Sequence, residues 1–165
     1  TSAIRDDGPV VFIQHRLLHP LTGDVPEGEV VVPLGQAAVR RQGTHITLVA
    51  YSYALTKALQ AAEAVSDQIN VEVIDPRTLV PLDVETIVQS VRKTGRLLVV
   101  HEAPTRAGAG AEIVRAVCEH VTQFKAPATV LGALPVPMPY SPPLEDAVLP
   151  QVGYIVAAIR RLVEG

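Results

Sequence analysis

Short apolar runs alternate with helix-length segments through most of the chain, and this alternation constrains the fold more than any other feature. Four apolar runs predict buried strands, at residues 46–51, 71–74, 97–100 and 128–131. Four segments repeat apolar residues at helical spacing, at residues 55–65, 84–91, 111–121 and 152–163. The strand runs are apolar throughout, which is typical of parallel sheets that helices cover on both faces. The sequence therefore predicts an α/β fold with a doubly wound, mainly parallel sheet.

The first 34 residues do not follow this alternation. Residues 10–13 form an apolar run that predicts a short buried strand, although no strand follows it closely. Residues 19–35 carry repeated Pro, Gly and Asp, which are typical of an irregular linker. We expect a domain boundary near residue 34, with a linker before it and the α/β domain at residues 35–165. The first residue is Thr1 rather than Met, which fits a fragment or a processed product.

Charge and composition argue against two classes of partner. The net charge of −3 and the scattered basic residues disfavour nucleic acid. No apolar run reaches the roughly 18 residues of a membrane span, so we expect no membrane partner and a soluble chain. The single cysteine, Cys118, is placed in the apolar stripe of the predicted helix 111–121, so we expect a small buried residue there.

The side chains most suited to binding or catalysis stand at the carboxyl ends of the predicted strands. His101 and Glu102 end one strand, and a glycine-rich turn containing Gly108 and Gly110 leads into the next helix. Such a turn either binds an anion at the helix N-terminus or lets helix and strand pack closely. Asp75 and Arg77, after the preceding strand, either orient a substrate or tie down the local turn.

Other motifs indicate structure rather than catalysis. Asp83 stands where the N-cap of the helix 84–91 is expected. The five histidines lack the spacing and the partners of a zinc site, and no nucleophile motif of the G-x-S-x-G type occurs. A self-contained hydrolase is therefore disfavoured.

Four segments carry a family resemblance. They are residues 75–83 (Asp-Pro-Arg-Thr-Leu-Val-Pro-Leu-Asp), 93–103, 135–140 (Pro-Val-Pro-Met-Pro-Tyr) and 2–12. Together they resemble the C-terminal half of the beta subunit of the thiamine-diphosphate-dependent component of 2-oxoacid dehydrogenase complexes, of the pyruvate or acetoin type. The resemblance implies that residues 35–165 form a C-terminal domain of the kind shared with transketolases. It also implies that residues 1–34 are a remnant of the pyrimidine-binding domain's last strand plus a linker.

The resemblance also implies a function for the whole enzyme. The holoenzyme would decarboxylate pyruvate or a related 2-oxoacid oxidatively and pass the acyl group to lipoamide, using thiamine diphosphate and Mg²⁺ that this chain alone would not bind. Its implied partners are a second beta subunit, an alpha subunit and the dihydrolipoyl acyltransferase core. The implied location is the cytoplasm in a bacterium or the mitochondrial matrix in a eukaryote. In this family the alpha subunit holds the cofactor's diphosphate, which favours close packing for the glycine turn.

Two sets of site residues follow from the resemblance. Backbone and carboxylate oxygens at Ala3, Ile4, Asp6 and Gly8 would form part of a potassium site, the alternative being a plain turn. The proline-rich segment 135–143 is predicted to be extended and to act as a contact surface or to pack simply against the domain. The predicted interface residues are Val114, Val117, Met138 and Tyr140.

Two other identities remain open at this point. One is the C-terminal domain of another transketolase-like enzyme, such as a 1-deoxyxylulose-5-phosphate synthase. The other is a free-standing, non-catalytic α/β interaction module.

Overall fold

Five strands form one sheet in the order β1-β3-β2-β4-β5. The computed structural model describes residues 1–165. The strands are β1 (Ala38–Arg41), β2 (Ile46–Ala50), β3 (Val71–Asp75), β4 (Leu97–Pro104) and β5 (Thr129–Ala133). Strands β2 to β5 are parallel to their neighbours, and β1 pairs antiparallel with β3 at one edge.

Six α-helices accompany the sheet, and both faces of the sheet are covered. They are α1 (Ser2–Arg5), α2 (Tyr53–Ala64), α3 (Val84–Thr94), α4 (Ala109–Cys118), α5 (Pro142–Val148) and α6 (Val152–Glu164), with one 3₁₀ turn at Arg16–Leu18. The predicted doubly wound α/β fold is confirmed. No helix of this chain is long and apolar enough to cross a membrane.

The core has two layers because alternate side chains of a strand point to opposite faces. Leu48 of β2 packs in the layer beneath α2 and α6, and its neighbour Val49 packs in the layer beneath α3 and α4. Both side chains are fully buried. Each such burial stabilises the fold by about 1.5–3 kcal/mol, which explains why the strands are mostly apolar.

Capping residues fix the ends of α3. The Asp83 carboxylate accepts hydrogen bonds from the N–H of Thr86 at 3.1 Å and from its hydroxyl at 2.7 Å. Gly95 ends the helix with φ of 75°, a left-handed conformation that glycine adopts without a steric penalty. The predicted N-cap role of Asp83 is confirmed.

The predicted strand at residues 10–13 is wrong. Residues 6–15 form neither helix nor strand, and Phe12 and Ile13 are 71% and 88% exposed. A strand needs a hydrogen-bonded neighbour, and nothing in this chain pairs with the segment. Conversely, β1 was not predicted, because a four-residue edge strand that ends in Arg40 and Arg41 carries no apolar run.

The proline-rich segment is extended only in part. Residues 135–141 form no helix or strand, as predicted, but α5 begins at Pro142. Pro142 and Pro143 occupy the first two helical positions, where the missing N–H groups would have no intrahelical partner in any case.

Two predictions on α4 are wrong. Val117 is fully buried in the layer between the sheet and α3, so it does not line an exposed surface. Cys118 is exposed rather than buried. Residues 113, 117 and 121 recur every four positions and face the core, whereas Cys118 lies 100° further around the helix. Val114 is only partly buried, at the margin of the same layer.

Candidate functional site

The sheet has a topological switch point between β2 and β4. The chain leaves β2 towards β3 on one side, and leaves β4 towards β5 on the other. The following helices, α2 and α4, lie on opposite faces of the sheet. Open α/β sheets bind ligands in the crevice that such a switch creates at the carboxyl ends of the strands. This crevice is therefore the candidate ligand-binding site of the domain.

A half-buried tyrosine and a fully buried histidine meet in the crevice. The hydroxyl of Tyr51, which follows β2, lies 3.1 Å from Nδ1 of His101 in β4. His101 is completely buried, and burial lowers its pKa, so the imidazole is neutral at pH 7. Burial, and then the nearby Glu102 carboxylate, raise the pKa of Tyr51. Both groups are therefore held in their neutral forms.

Three glycines lie close against the His101 imidazole. A Cβ at Gly110 would lie 2.9 Å from His101 Nε2, and one at Gly132 would lie 3.1 Å from the same atom. A Cβ at Gly108 would collide with His101 Cε1. The imidazole thus occupies the space that these glycines leave free, and its Nε2 has no hydrogen-bond partner. The glycine-rich turn before α4 therefore serves close packing, and the residues present do not fit a diphosphate.

Asp75 and Arg77 act within their own turn. The Asp75 carboxylate accepts a hydrogen bond from the N–H of Arg77 at 3.0 Å, and Arg77 has φ of 59°. Burial raises the pKa of Asp75, although this hydrogen bond and the charges of Arg40 and Arg77 oppose the shift. Of the two alternatives, the structure shows the local one, in which the carboxylate ties down the turn.

The residues of the implied potassium site lie at the start of the chain. Ala3 and Ile4 belong to the short helix α1, and the Asp6 carboxylate accepts a hydrogen bond from the N–H of Gly8 at 2.9 Å. Ile4, Asp6 and Gly8 are exposed. No group of three or more His, Cys, Asp or Glu side chains in the chain is placed to hold a metal ion. One carboxylate and the nearby carbonyls could supply some of the oxygen ligands of a potassium ion, but not a complete set.

Several exposed apolar side chains lie in the C-terminal part of the chain. We call them the C-terminal apolar surface; its members follow β5 or lie on α5 and α6, and are Leu134, Val136, Met138, Tyr140, Leu144 and Tyr154, which are 49–102% exposed. A groove of about 480 Å³ between β5, α5 and α6 includes Leu134 and Tyr154 in its lining. Of the predicted interface residues, Met138 and Tyr140 are therefore available to a partner, and Val117 is not.

One contact at the crevice, made by His15, was not predicted from the sequence. His15, in the segment that precedes the sheet, stacks on Tyr53 of α2 and pairs with Glu102 of β4. Residues 14–19 have no periodicity that points to α2 or β4. Such a contact depends on the tertiary structure and leaves no local pattern in the sequence.

The match to a known family decides the classification. The family model for the transketolase C-terminal domain matches residues 35–155. This chain belongs to the transketolase C-terminal domain family. A solved structure of a split-gene transketolase, an inactive beta4 tetramer, superposes with a TM-score of 0.73 over 86% of this chain and 46% of the other. At 24% identity, that likeness shows the fold of this transketolase C-terminal domain and nothing further.

Curated relatives extend the similarity beyond the family model. The beta subunit of acetoin:2,6-dichlorophenolindophenol oxidoreductase from Cupriavidus necator is 39% identical over 99% of this chain. The beta subunit of the pyruvate dehydrogenase E1 component from Rickettsia conorii is 40% identical over 98% of it, and the mitochondrial one from Dictyostelium discoideum is 39% identical over 99%. The chain spans 48–50% of the length of these relatives.

Proposed function

We propose that this chain is the C-terminal part of the beta subunit of a 2-oxoacid dehydrogenase complex of the pyruvate or acetoin type. The observation that carries the proposal is the identity of 39–40% to such beta subunits over nearly the whole chain. The aligned region includes residues before 35, which the transketolase family model does not cover. A similarity that extends into this segment favours the dehydrogenase over another transketolase-like enzyme.

In the holoenzyme, this half serves subunit assembly and docking. The complete enzyme decarboxylates pyruvate or a related 2-oxoacid and transfers the acyl group to lipoamide. The C-terminal apolar surface supports a contact with a second beta subunit, because side chains such as the fully exposed Tyr140 gain from burial. An alpha subunit and the dihydrolipoyl acyltransferase core are the other proposed partners.

The cofactors act elsewhere in the holoenzyme. Thiamine diphosphate, bound with Mg²⁺, supplies the carbanion chemistry of decarboxylation. His101 fills the space before α4, which supports a diphosphate site outside this chain. We further propose that Ala3, Ile4, Asp6 and Gly8 complete a potassium site with residues that lie outside this chain. The enzyme is cytoplasmic if the source is bacterial and lies in the mitochondrial matrix if it is eukaryotic.

The proposal is tested with the complete coding sequence that contains this chain, co-expressed with an alpha subunit of the same family and source. We expect dye reduction that depends on both subunits, on thiamine diphosphate and on pyruvate, acetoin or a related 2-oxoacid. Calorimetric titration of the 165-residue chain alone with thiamine diphosphate and Mg²⁺ should show no binding. Micromolar binding by this chain, or a co-expressed pair that oxidises none of these substrates, would contradict the proposal.

A further inference from the structure

A single side chain connects the first 34 residues to the α/β domain through polar contacts. Other side-chain hydrogen bonds of the segment, such as Ser2 with Val32, stay within it, as does the ion pair of Arg5 with Glu29. His15 is the exception, because its Nε2 lies 3.2 Å from Glu102 Oε2. Residues 21–33 are exposed throughout. The position of the segment on the sheet therefore depends on His15.

The His15 ring is well fixed in this position. It stacks on the Tyr53 ring with the centroids 5.1 Å apart and the planes 10° from parallel. Lys57 Nζ lies 5.3 Å from the Tyr53 ring centroid and donates to the Pro150 carbonyl, so Tyr53 is itself held by its helix and by the chain before α6. The His15 side chain keeps 30% of its exposure and Glu102 keeps 20%.

The hydrogen bonds of His15 specify its tautomer. Nδ1 accepts the N–H of Leu17 at 3.2 Å and thereby caps the 3₁₀ turn at Arg16–Leu18. A nitrogen that accepts a hydrogen bond carries no proton, so in a neutral ring the proton is on Nε2, from which it is donated to Glu102. One imidazole thus shapes the turn with one nitrogen and attaches it to β4 with the other.

The attachment point is the switch-point crevice. Glu102 follows His101 at the end of β4, and Tyr53 follows Tyr51 and Ser52 at the start of α2. We propose that residues 14–19 form a strap that closes the crevice between β2 and β4, with His15 as the latch that holds it. At the crevice in which related sheets bind ligands, His15 contacts one residue after β2 and one residue of β4. Movement of residues 1–34 is thereby coupled to the carboxyl ends of β2 and β4.

Tryptic cleavage after Arg16 measures how often the strap is released. Arg16 belongs to the 3₁₀ turn that His15 caps, and a protease cleaves it when the turn opens. We expect cleavage of the 165-residue chain to become about tenfold faster in Glu102→Ala and in His15→Asn. Asparagine can still cap the turn but is too short to reach Glu102, so this variant separates the latch from the cap. Glu102→Gln keeps an acceptor and should remain close to the wild type.

His19→Asn is the matched control, because His19 ends the same turn but its side chain makes no hydrogen bond or ion pair with the sheet. Its cleavage rate should be unchanged. Nitrogen-15 NMR of the wild-type imidazoles at pH 8 should show His15 as the Nε2–H tautomer with that N–H hydrogen-bonded, and the hydrogen-bond shift of Nε2 should be lost in Glu102→Ala. Equal cleavage rates in all variants, or a His15 ring that averages between tautomers in the wild type, would overturn the proposal. These measurements need no dehydrogenase activity, so they are independent of the proposed function.

Discussion

Asp83 connects helix α3 to the chain that enters β1. Besides capping α3, its carboxylate accepts the N–H of Ala37 at 2.9 Å. Replacing Asp83 by Ala removes the cap and leaves the Ala37 donor without its partner, so the free energy of unfolding should fall by about 1–2 kcal/mol. Urea denaturation at constant m-value measures this loss. Glu85→Ala, an exposed change in the same helical turn, should stay within about 0.5 kcal/mol of the wild type.

The same carboxylate makes the loss depend on pH. Burial acts to raise the pKa of Asp83, but the hydrogen bonds from Ala37 and Thr86 outweigh it and lower the pKa overall. The contribution of a carboxyl with a lowered pKa is complete above its unfolded value of about 3.9, and is lost as the pH falls through the folded value. The stability difference between wild type and Asp83→Ala should therefore be constant from about pH 7 to pH 5 and shrink below about pH 4. A difference that persists undiminished at low pH would show that the charge has no role.

At the scale of elements, the contact between α4 and β4 rests on glycines. A Cβ at Gly110 would lie 2.8 Å from Val130 Cγ1 and 2.9 Å from His101 Nε2. Gly110→Ala should therefore destabilise the domain by about 1–3 kcal/mol, although alanine is the better helix former. Gly153 is the matched control, since it is also the second residue of its helix and a Cβ there meets nothing within 4 Å.

Gly153→Ala should stabilise the chain by up to about 1 kcal/mol. Adding His101→Ala to Gly110→Ala should recover part of the loss, because the smaller side chain makes room for the new methyl group. Thermal or urea unfolding of the three variants and the wild type gives the comparison. If the two glycine substitutions change the free energy of unfolding equally, the close packing of α4 on His101 is not the reason for a glycine at position 110.

The sequence predicted those elements whose own side chains reveal their environment. Strands β2 to β5 are mostly apolar because both faces of the sheet are covered, and α2 and α6 repeat apolar residues every three to four positions because one face of each is buried. Strand β1 was missed because its place depends on pairing with β3, which a distant part of the chain supplies. Val117 and Cys118 were misplaced because one residue of helix corresponds to 100° of rotation.

The candidate site was less predictable than the fold. The sequence placed His101 and Glu102 at a strand end, and the glycine turn after them, which is where the crevice lies. It did not show that the imidazole itself fills the glycine turn, since that depends on how β5 brings Gly132 against β4. The contact of His15 with Glu102 likewise spans most of the chain and leaves no local pattern.

At the scale of the whole molecule, the proposed function requires this chain to bring subunits together. The C-terminal apolar surface should then pair with its own copy across a two-fold axis, in which each patch meets the equivalent patch. Met138 is 51% exposed and Tyr140 fully exposed on this surface. Met138→Glu should weaken the pairing, because a carboxylate without a partner is costly to bury.

Sedimentation equilibrium at micromolar concentration tests this claim most directly. We expect a homodimer for the wild type, a shift towards monomer for Met138→Glu, and an unchanged dimer for Val80→Glu. Val80 is 91% exposed in the loop after β3, on the opposite side of the sheet from β5, so the same charge is added away from the surface. A wild-type chain that stays monomeric, or a dimer that is indifferent to Met138→Glu, would contradict the account.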